Sequence, residues 1–362
     1  MRKTEREKMI FKINARKRND ALLPARLFRF FIFSFAAFSI SLTSFAQTPP
    51  PNPPKPNRNA GKTAASRNDT PVEKSIAVDG KVNVKLCVAE GKLKINGWER
   101  DEIRAFVADG NGGASVGFKI LQKNKQTNAA VWVAVVEINS PKSGRAVSAD
   151  ECLSGGQIEL DVPRGAIVSV KSRDSETVID SVAKATVENV GGGIFLSRVR
   201  HGVEATTYEG DITVEKSGGA MSLTTTTGNI VAFDVSPGEV GDAFRAKTNG
   251  GAIVLRQIEY RQIEANSNSG AIKFTGEFLA GGQYTFNAFN GSINLQIPQN
   301  SSCRINASYG FGAFNSEIPL SNVVKSFASA KAQNLSARIG TGGEATLNLS
   351  TYSGTIQIKK GN

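Results

Sequence analysis

Between Ala185 and Ile356 the chain alternates apolar and polar residues in short runs, each closed by a glycine with isoleucine two positions on. The copies are Ala185-Val187-Asn189-Gly192-Ile194, Val203-Ala205-Thr207-Gly210-Ile212, Met221-Leu223-Thr225-Gly228-Ile230, Phe244-Ala246-Thr248-Gly251-Ile253, Ile263-Ala265-Ser267-Gly270-Ile272, Tyr284-Phe286-Ala288-Gly291-Ile293 and Leu347-Leu349-Thr351-Gly354-Ile356. An earlier copy, Val84-Leu86-Val88-Gly91-Leu93, has Leu for Ile. A period of two places the named residues on one face of a strand and their polar neighbours on the other. Glycine marks the corner, where positive φ costs it least. A second alternating run follows, as in Ile212-Thr-Val214 and Ile293-Asn-Leu295.

Each repeat therefore reads as strand, glycine corner, strand and a looser connection. A unit of this size cannot cover its own apolar face, whereas stacked units bury a continuous core at about 4.8 Å per step. The first six regular glycines are 18, 18, 23, 19 and 21 residues apart. The predicted fold is all-β, a β-solenoid (single-chain β-helix) of Gly-cornered repeats of 18–23 residues. Antiparallel hairpins in a sandwich would also give regularly spaced strands. The likeness of equivalent positions from copy to copy favours the solenoid, and the longer spacings read as loops bulging from one corner.

Residues 1–46 carry ten Lys or Arg against three acids, the apolar run Phe30–Leu42, and Ser44-Phe45-Ala46. A basic head, a short apolar stretch and small residues at −3 and −1 predict a secretory signal cleaved after Ala46. Thirteen residues are too few to span a bilayer, so no membrane span is expected once the signal is removed. The expected location is the periplasm, the cell surface or the extracellular space. Residues 47–74 hold seven of the thirteen prolines and read as a disordered linker. Residues 75–174 read as an N-terminal β region or cap, with Trp98 and Trp132 filling it, and 175–360 as regular repeats. Residues 310–343 break the period with a polar insertion, and the copy at Leu347 then closes the chain.

The whole chain is +12, but residues 1–46 contribute +7, which leaves 34 bases against 29 acids. No basic stripe or stacking aromatics accompany the remainder, so nucleic acid is not expected as a partner. Of three cysteines, Cys87 and Cys152 are the candidate disulfide, tying the N-terminal strands together, and Cys303 reads as a buried small hydrophobe.

The Gly-x-Ile rhythm, with Gly91-Lys-Leu-Lys-Ile-Asn-Gly-Trp98-Glu-Arg-Asp-Glu-Ile-Arg104 near the start, resembles a family of bacterial exported β-strand-repeat proteins. These are candidate adhesins of unknown function, similar to the head-domain group of candidate autotransporter adhesins. The resemblance covers residues 76–359. It implies a β-solenoid at the cell envelope and supplies no catalytic motif.

No catalytic, cofactor or metal site is expected. The single histidine, His201, sits in a turn without a Gly-x-Ser-x-Gly elbow, and the cysteines lack zinc-ligand spacing. A carbohydrate-cleaving β-helix would need paired carboxylates. Glu204, Glu209 and Asp211 are the nearest candidates, but Asn229, Ala252, Ala271 and Ser292 follow at the position of Asp211, so no acidic ladder forms. The outward residues Thr206, Thr224, Thr226, Lys247, Asn266, Asn287, Asn294 and Ser350 read as flat hydroxyl and amide ladders able to engage a cell-surface glycan or an envelope protein. The expected function is a non-enzymatic adhesin-like or envelope-scaffold module. The alternatives are an envelope-stress signalling partner of a membrane protein and, third, a polysaccharide lyase or hydrolase.

Overall fold

The computed structural model describes residues 72–108, 115–138, 151–329, 332–341 and 345–361. The expected signal at 1–46 and all of the expected linker but its last three residues lie outside them. Every regular element among the described residues is a strand, and none is a helix.

Six strands open the chain: β1 (Val72–Trp98), β2 (Glu102–Ala108), β3 (Ser115–Lys123), β4 (Ala130–Ile138), β5 (Leu153–Pro163) and β6 (Ile167–Asp180). Then come strand pairs about the glycine corners: β7 (Lys184–Gly191) with β8 (Ile194–Ser197), β9 (Val203–Glu209) with β10 (Ile212–Gly218), and β11 (Met221–Thr227) with β12 (Ile230–Ser236). They continue as β13 (Phe244–Gly250) with β14 (Ile253–Ile258), β15 (Gln262–Ser269) with β16 (Ile272–Thr275), and β17 (Gln283–Ala288) with β18 (Ile293–Ile297). The chain ends with β19 (Cys303–Phe311), β20 (Phe314–Ser316), β21 (Leu320–Ser329), β22 (Ala332–Ile339), β23 (Ala345–Ser353) and β24 (Ile356–Lys360).

The first strand of each pair bonds in parallel to the first strand of the next, and the second to the second. These two in-register ladders make the molecule a β-solenoid and exclude a sandwich. Ile194, Ile212, Ile230, Ile253, Ile272, Ile293 and Ile356 are successive register partners in the second ladder, each at most 2% exposed. Full burial of one such side chain is worth about 2 kcal/mol.

The corner explains the glycine. A Cβ on Gly210 would lie closer than 3.0 Å to the carbonyl oxygen of Gly192 one rung below, and the same collision recurs at Gly228, Gly251, Gly270, Gly291 and Gly354. Gly192 would meet the carbonyl of Ser175, and Gly91 that of Gly155. At Gly210 the φ of 140° adds a second reason. Gly291 and Gly354 lie outside the left-handed region, so there the collision alone demands glycine.

The small-or-Thr position before the corner has its own task. Thr225 donates its hydroxyl to the Gly210 carbonyl at 3.0 Å, Thr248 to Gly228 at 2.9 Å, Ser267 to Gly251 at 2.9 Å and Thr351 to Gly291 at 3.0 Å. These buried hydroxyls satisfy carbonyls that the corner turns inward.

The order of rungs in space differs from their order in sequence. Strand β1 is a full rung in itself and lies between the β4/β5 rung and β6, not at the end. At the other end β23/β24 is inserted between β17/β18 and the β19/β20 rung. The expectation that residues 310–343 break the period as an insertion is thus corrected in part: residues 310–316 belong to the β19/β20 rung, while β21 and β22 follow outside the period as an antiparallel hairpin. Residues 303–316 are a rung, and the last copy lies beneath it.

Antiparallel strands close both ends. Strand β3 borders β4, and β2 borders β5, while β22 borders β19 and β21 borders β22. Cys87 of β1 is disulfide-bonded to Cys152 beside β5, with Cα atoms 4.3 Å apart, which staples the inserted first rung to its outer neighbour. Cys303 is a buried free thiol, pushed up to about 11 by burial. The cap-filling role expected of Trp132 is not what the structure shows, since that side chain is 44% exposed. Trp98 is half-buried, donates Nε1–H to the Glu102 carbonyl at 2.8 Å, and carries the guanidinium groups of Arg100 and Arg104 over its ring.

Candidate interaction surface

The outer face of the first ladder repeats as faithfully as the core. Thr206, Thr224, Lys247, Asn266, Asn287 and Ser350 are register partners in one straight column. Asn287 donates Nδ2–H to Asn266 Oδ1 at 2.8 Å within this column, and Asn306 donates to Asn348 Oδ1 at 3.1 Å in the outward column beside it. Two residues expected in this set fall elsewhere. Asn294 belongs to the second ladder, between Lys273 and Gln357, and Thr226 lies outside this column, nearer the corner.

An aromatic cluster borders the column, which sequence reasoning missed. Phe289 and Tyr352 stack at 5.0 Å between ring centroids and 7° between planes, and Phe311 meets Tyr352 edge-on at 5.5 Å. The three rings are 51%, 48% and 50% exposed respectively. A signal existed, because Phe289 and Tyr352 each follow the residue before the corner in their copies of the phrase. Those copies are neighbours in space and far apart in sequence, so the pairing was hidden.

Of the carboxylates considered for chemistry, Asp211 caps a corner. Asp211 Oδ1 accepts from the Asn229 amide at 2.7 Å, and Asn229 Oδ1 accepts from the Ala252 amide at 2.9 Å, which makes a short capping ladder. Glu204 stands on the outer face opposite Thr186 and Ser222, and Glu209 is an exposed corner residue. His201 is exposed, and its backbone amide bonds to the Ala183 carbonyl at 2.7 Å. Among the described residues no group of three or more His, Cys, Asp and Glu is placed to hold a metal. Glu137 is held above the usual carboxylate range by burial, against the opposing effect of the Ser154 amide bonded to it at 3.0 Å.

The longer connections form a trough on the side of the coil between β12/β14 and the next rungs. Two adjoining cavities of about 540 and 870 Å³ share Pro237, Glu259 and Leu279. Asp234 and Glu277 complete the acidic lining of the larger, and Arg261 enters the smaller.

The chain from residue 139 to residue 359 matches the family described as Toastrack DUF4097. The chain belongs to this family. Toastrack is a β-solenoid-like repeat fold, and the matched span runs from just before β5 through β24. It leaves out β1, so the inserted first rung stands outside the shared Toastrack segment, and the disulfide ties Cys87 of that rung to Cys152 within the segment. No curated protein matches the chain. Among solved structures, a candidate cell adhesion protein from Clostridium sporogenes aligns at 12% identity over 80% of this chain and 99% of that one. The TM-score is 0.24, too low to support a structural or functional conclusion.

Proposed function

We propose that this Toastrack protein is a non-enzymatic exported module of the cell envelope that binds adhesin-fashion through the outer face of its first ladder. The observation behind this reading is the register of Thr206, Thr224, Lys247, Asn266, Asn287 and Ser350, set beside the half-exposed Phe289, Tyr352 and Phe311. Hydroxyl and amide groups at a fixed spacing beside aromatic carbon suit a surface glycan, which offers hydroxyl groups and an apolar ring face together. The test is a glycan array probed with the full chain. Binding that falls at least about tenfold in Phe289→Ser/Tyr352→Ser, with the fold intact by circular dichroism, supports the reading. If no glycan is bound, while a membrane protein from envelope extracts is retained, the signalling alternative takes its place.

One observation favours a second reading, a glycan-cleaving enzyme. Glu259 and Glu277 line the same cleft, as a pair of carboxylates would in a glycoside hydrolase. New reducing ends released from a polysaccharide by the wild type, and abolished in Glu259→Gln and Glu277→Gln, would establish it. Their absence across envelope polysaccharides would dismiss it.

A further inference from the structure

We propose that the ligand is an uncharged, linear polysaccharide that lies lengthwise beside the glycine corners, along the direction in which the rungs stack. The proposal rests on the glycan reading above and names the class of glycan.

The residue that follows the small-or-Thr position of each phrase points outward, because its predecessor points into the core. The ladder registers therefore place Val190, Tyr208, Thr226, Asn249, Asn268, Phe289 and Tyr352 on successive rungs. They form a further outward column, nearer the glycines than the Thr206 column. Phe311 adds a ring on the rung beyond. Aromatic carbon thus stands at both ends of the column, with polar groups between. Tyr208 is 57% exposed, with Val190 at 58% on the rung before it. Four rung steps separate Tyr208 from Phe289, about 19 Å at the ordinary strand spacing.

The polar groups at the centre of this column are uncommitted. Asn266 and Asn287 of the neighbouring column bond to each other, and Asn266 also donates to Glu264 Oε1 at 2.7 Å. Asn249 and Asn268 are exposed, and neither side chain has a hydrogen-bond partner among the described residues. Each offers an amide donor and an acceptor, which adjacent sugar hydroxyls match. A pyranose in an extended chain is close to one rung in length. A sugar strand along the column thus meets a new set of groups at each step, its ends stacked on Tyr208 and on the Phe289–Tyr352 pair. A terminal or branched sugar would use one aromatic end and leave the other idle. From Tyr208 to Tyr352 the two columns hold one charged side chain, Lys247, whereas an anionic glycan calls for cations at several steps.

The test is calorimetric titration of the full chain with cello-, xylo- and N-acetylated chito-oligosaccharides of about two to eight sugars, and with the same length series of any neutral linear glycan that the array returns. About five sugars bridge the two aromatic ends at the rung spacing. Affinity should climb at least about tenfold from trimer to hexamer, because the second aromatic contact is then made within one complex. Tyr208→Ser should abolish that rise and Tyr208→Phe, which keeps the ring, should retain it, while Phe289→Ser/Tyr352→Ser should weaken every length. Equal affinity for trimer and hexamer, or a rise that survives Tyr208→Ser, overturns the lengthwise placement and leaves the glycan reading standing. Binding confined to anionic or branched glycans overturns the class. An array that returns no ligand removes the reading on which both rest.

Discussion

Gly354 rests directly on Gly291, sixty-three positions earlier in the chain, so closely that a methyl group on Gly354 would strike the Gly291 carbonyl. Gly312 rests in the same way on Gly354. The rung that ends the sequence is therefore an interior rung of the stack, and the one it supports was synthesised before it.

Deletion of residues 345–362 should consequently do more than shorten the molecule. It removes the partners of β17, β18, β19 and β20 together. Hydrogen exchange should show loss of protection across residues 283–316, with the rungs from 185 to 235 still protected, as expected of a nearest-neighbour array. Unchanged protection at 303–311 would contradict the inserted order.

Gly210→Ala and Gly241→Ala separate the two reasons for a corner glycine. Both positions have positive φ, 140° and 99°, but a Cβ at Gly241 meets nothing within 4 Å whereas one at Gly210 meets the Gly192 carbonyl. Chemical denaturation should show a loss of about 1 kcal/mol for Gly241→Ala and about 3 kcal/mol or more for Gly210→Ala. Equal losses would mean that backbone conformation, not the carbonyl below, selects glycine.

Thr248→Val replaces a buried hydroxyl with a methyl of nearly the same size and leaves the partly buried Gly228 carbonyl without its 2.9 Å donor. A loss of about 1–3 kcal/mol is expected. Thr206→Val, on the exposed side of the same ladder, should change stability by less than about 0.5 kcal/mol. The pair of unfolding curves decides whether the phrase keeps a hydroxyl there for hydrogen bonding or only for size.

Removing the disulfide with Cys87→Ser/Cys152→Ser should cost about 2–4 kcal/mol, since the bridge spans 65 residues. The loss should appear first in β1, β4 and β5, read as an earlier fluorescence change at Trp98 and Trp132. A single transition at the wild-type midpoint would show that the bridge is dispensable.

Cys303 gives the fold an alkaline limit. Burial raises its thiol to about 11 in the folded chain, against a starting value of 9.0. The folded state thus holds the proton more tightly, and its advantage is complete below pH 9 and lost as pH rises towards 11. Burial also raises the Tyr260 and Tyr284 hydroxyls, which extends the decline upward. Stability should fall above pH 9, less steeply in Cys303→Ala, and native Cys303 should resist alkylation at pH 8 until the chain is unfolded.

What could be read from the residues alone was whatever a single rung imposes on itself. The corner glycine is visible because every rung meets the same carbonyl, and the isoleucine column because every rung buries the same face. A second corner was invisible. Ser181, Arg198, Lys216, Asp234 and Gln257 occupy equivalent positions, all left-handed with φ between 47° and 59°. None of them is glycine, so composition gave no hint; Arg198 is anchored there through Ser181 Oγ at 3.0 Å and an ion pair with Asp180. Rung order was hidden for the opposite reason, since similar rungs stack on one another equally well in any order. The aromatic cluster inherits that ambiguity, because Phe289 and Tyr352 meet only once the last rung is placed.

The placement of β1 and β23/β24 one step inside their respective ends has an evolutionary corollary. Duplicating a terminal segment would leave the new copy with no slot, whereas duplicating a middle one simply lengthens the column. Relatives of different size should accordingly share both extremities and differ in how many floors lie between them.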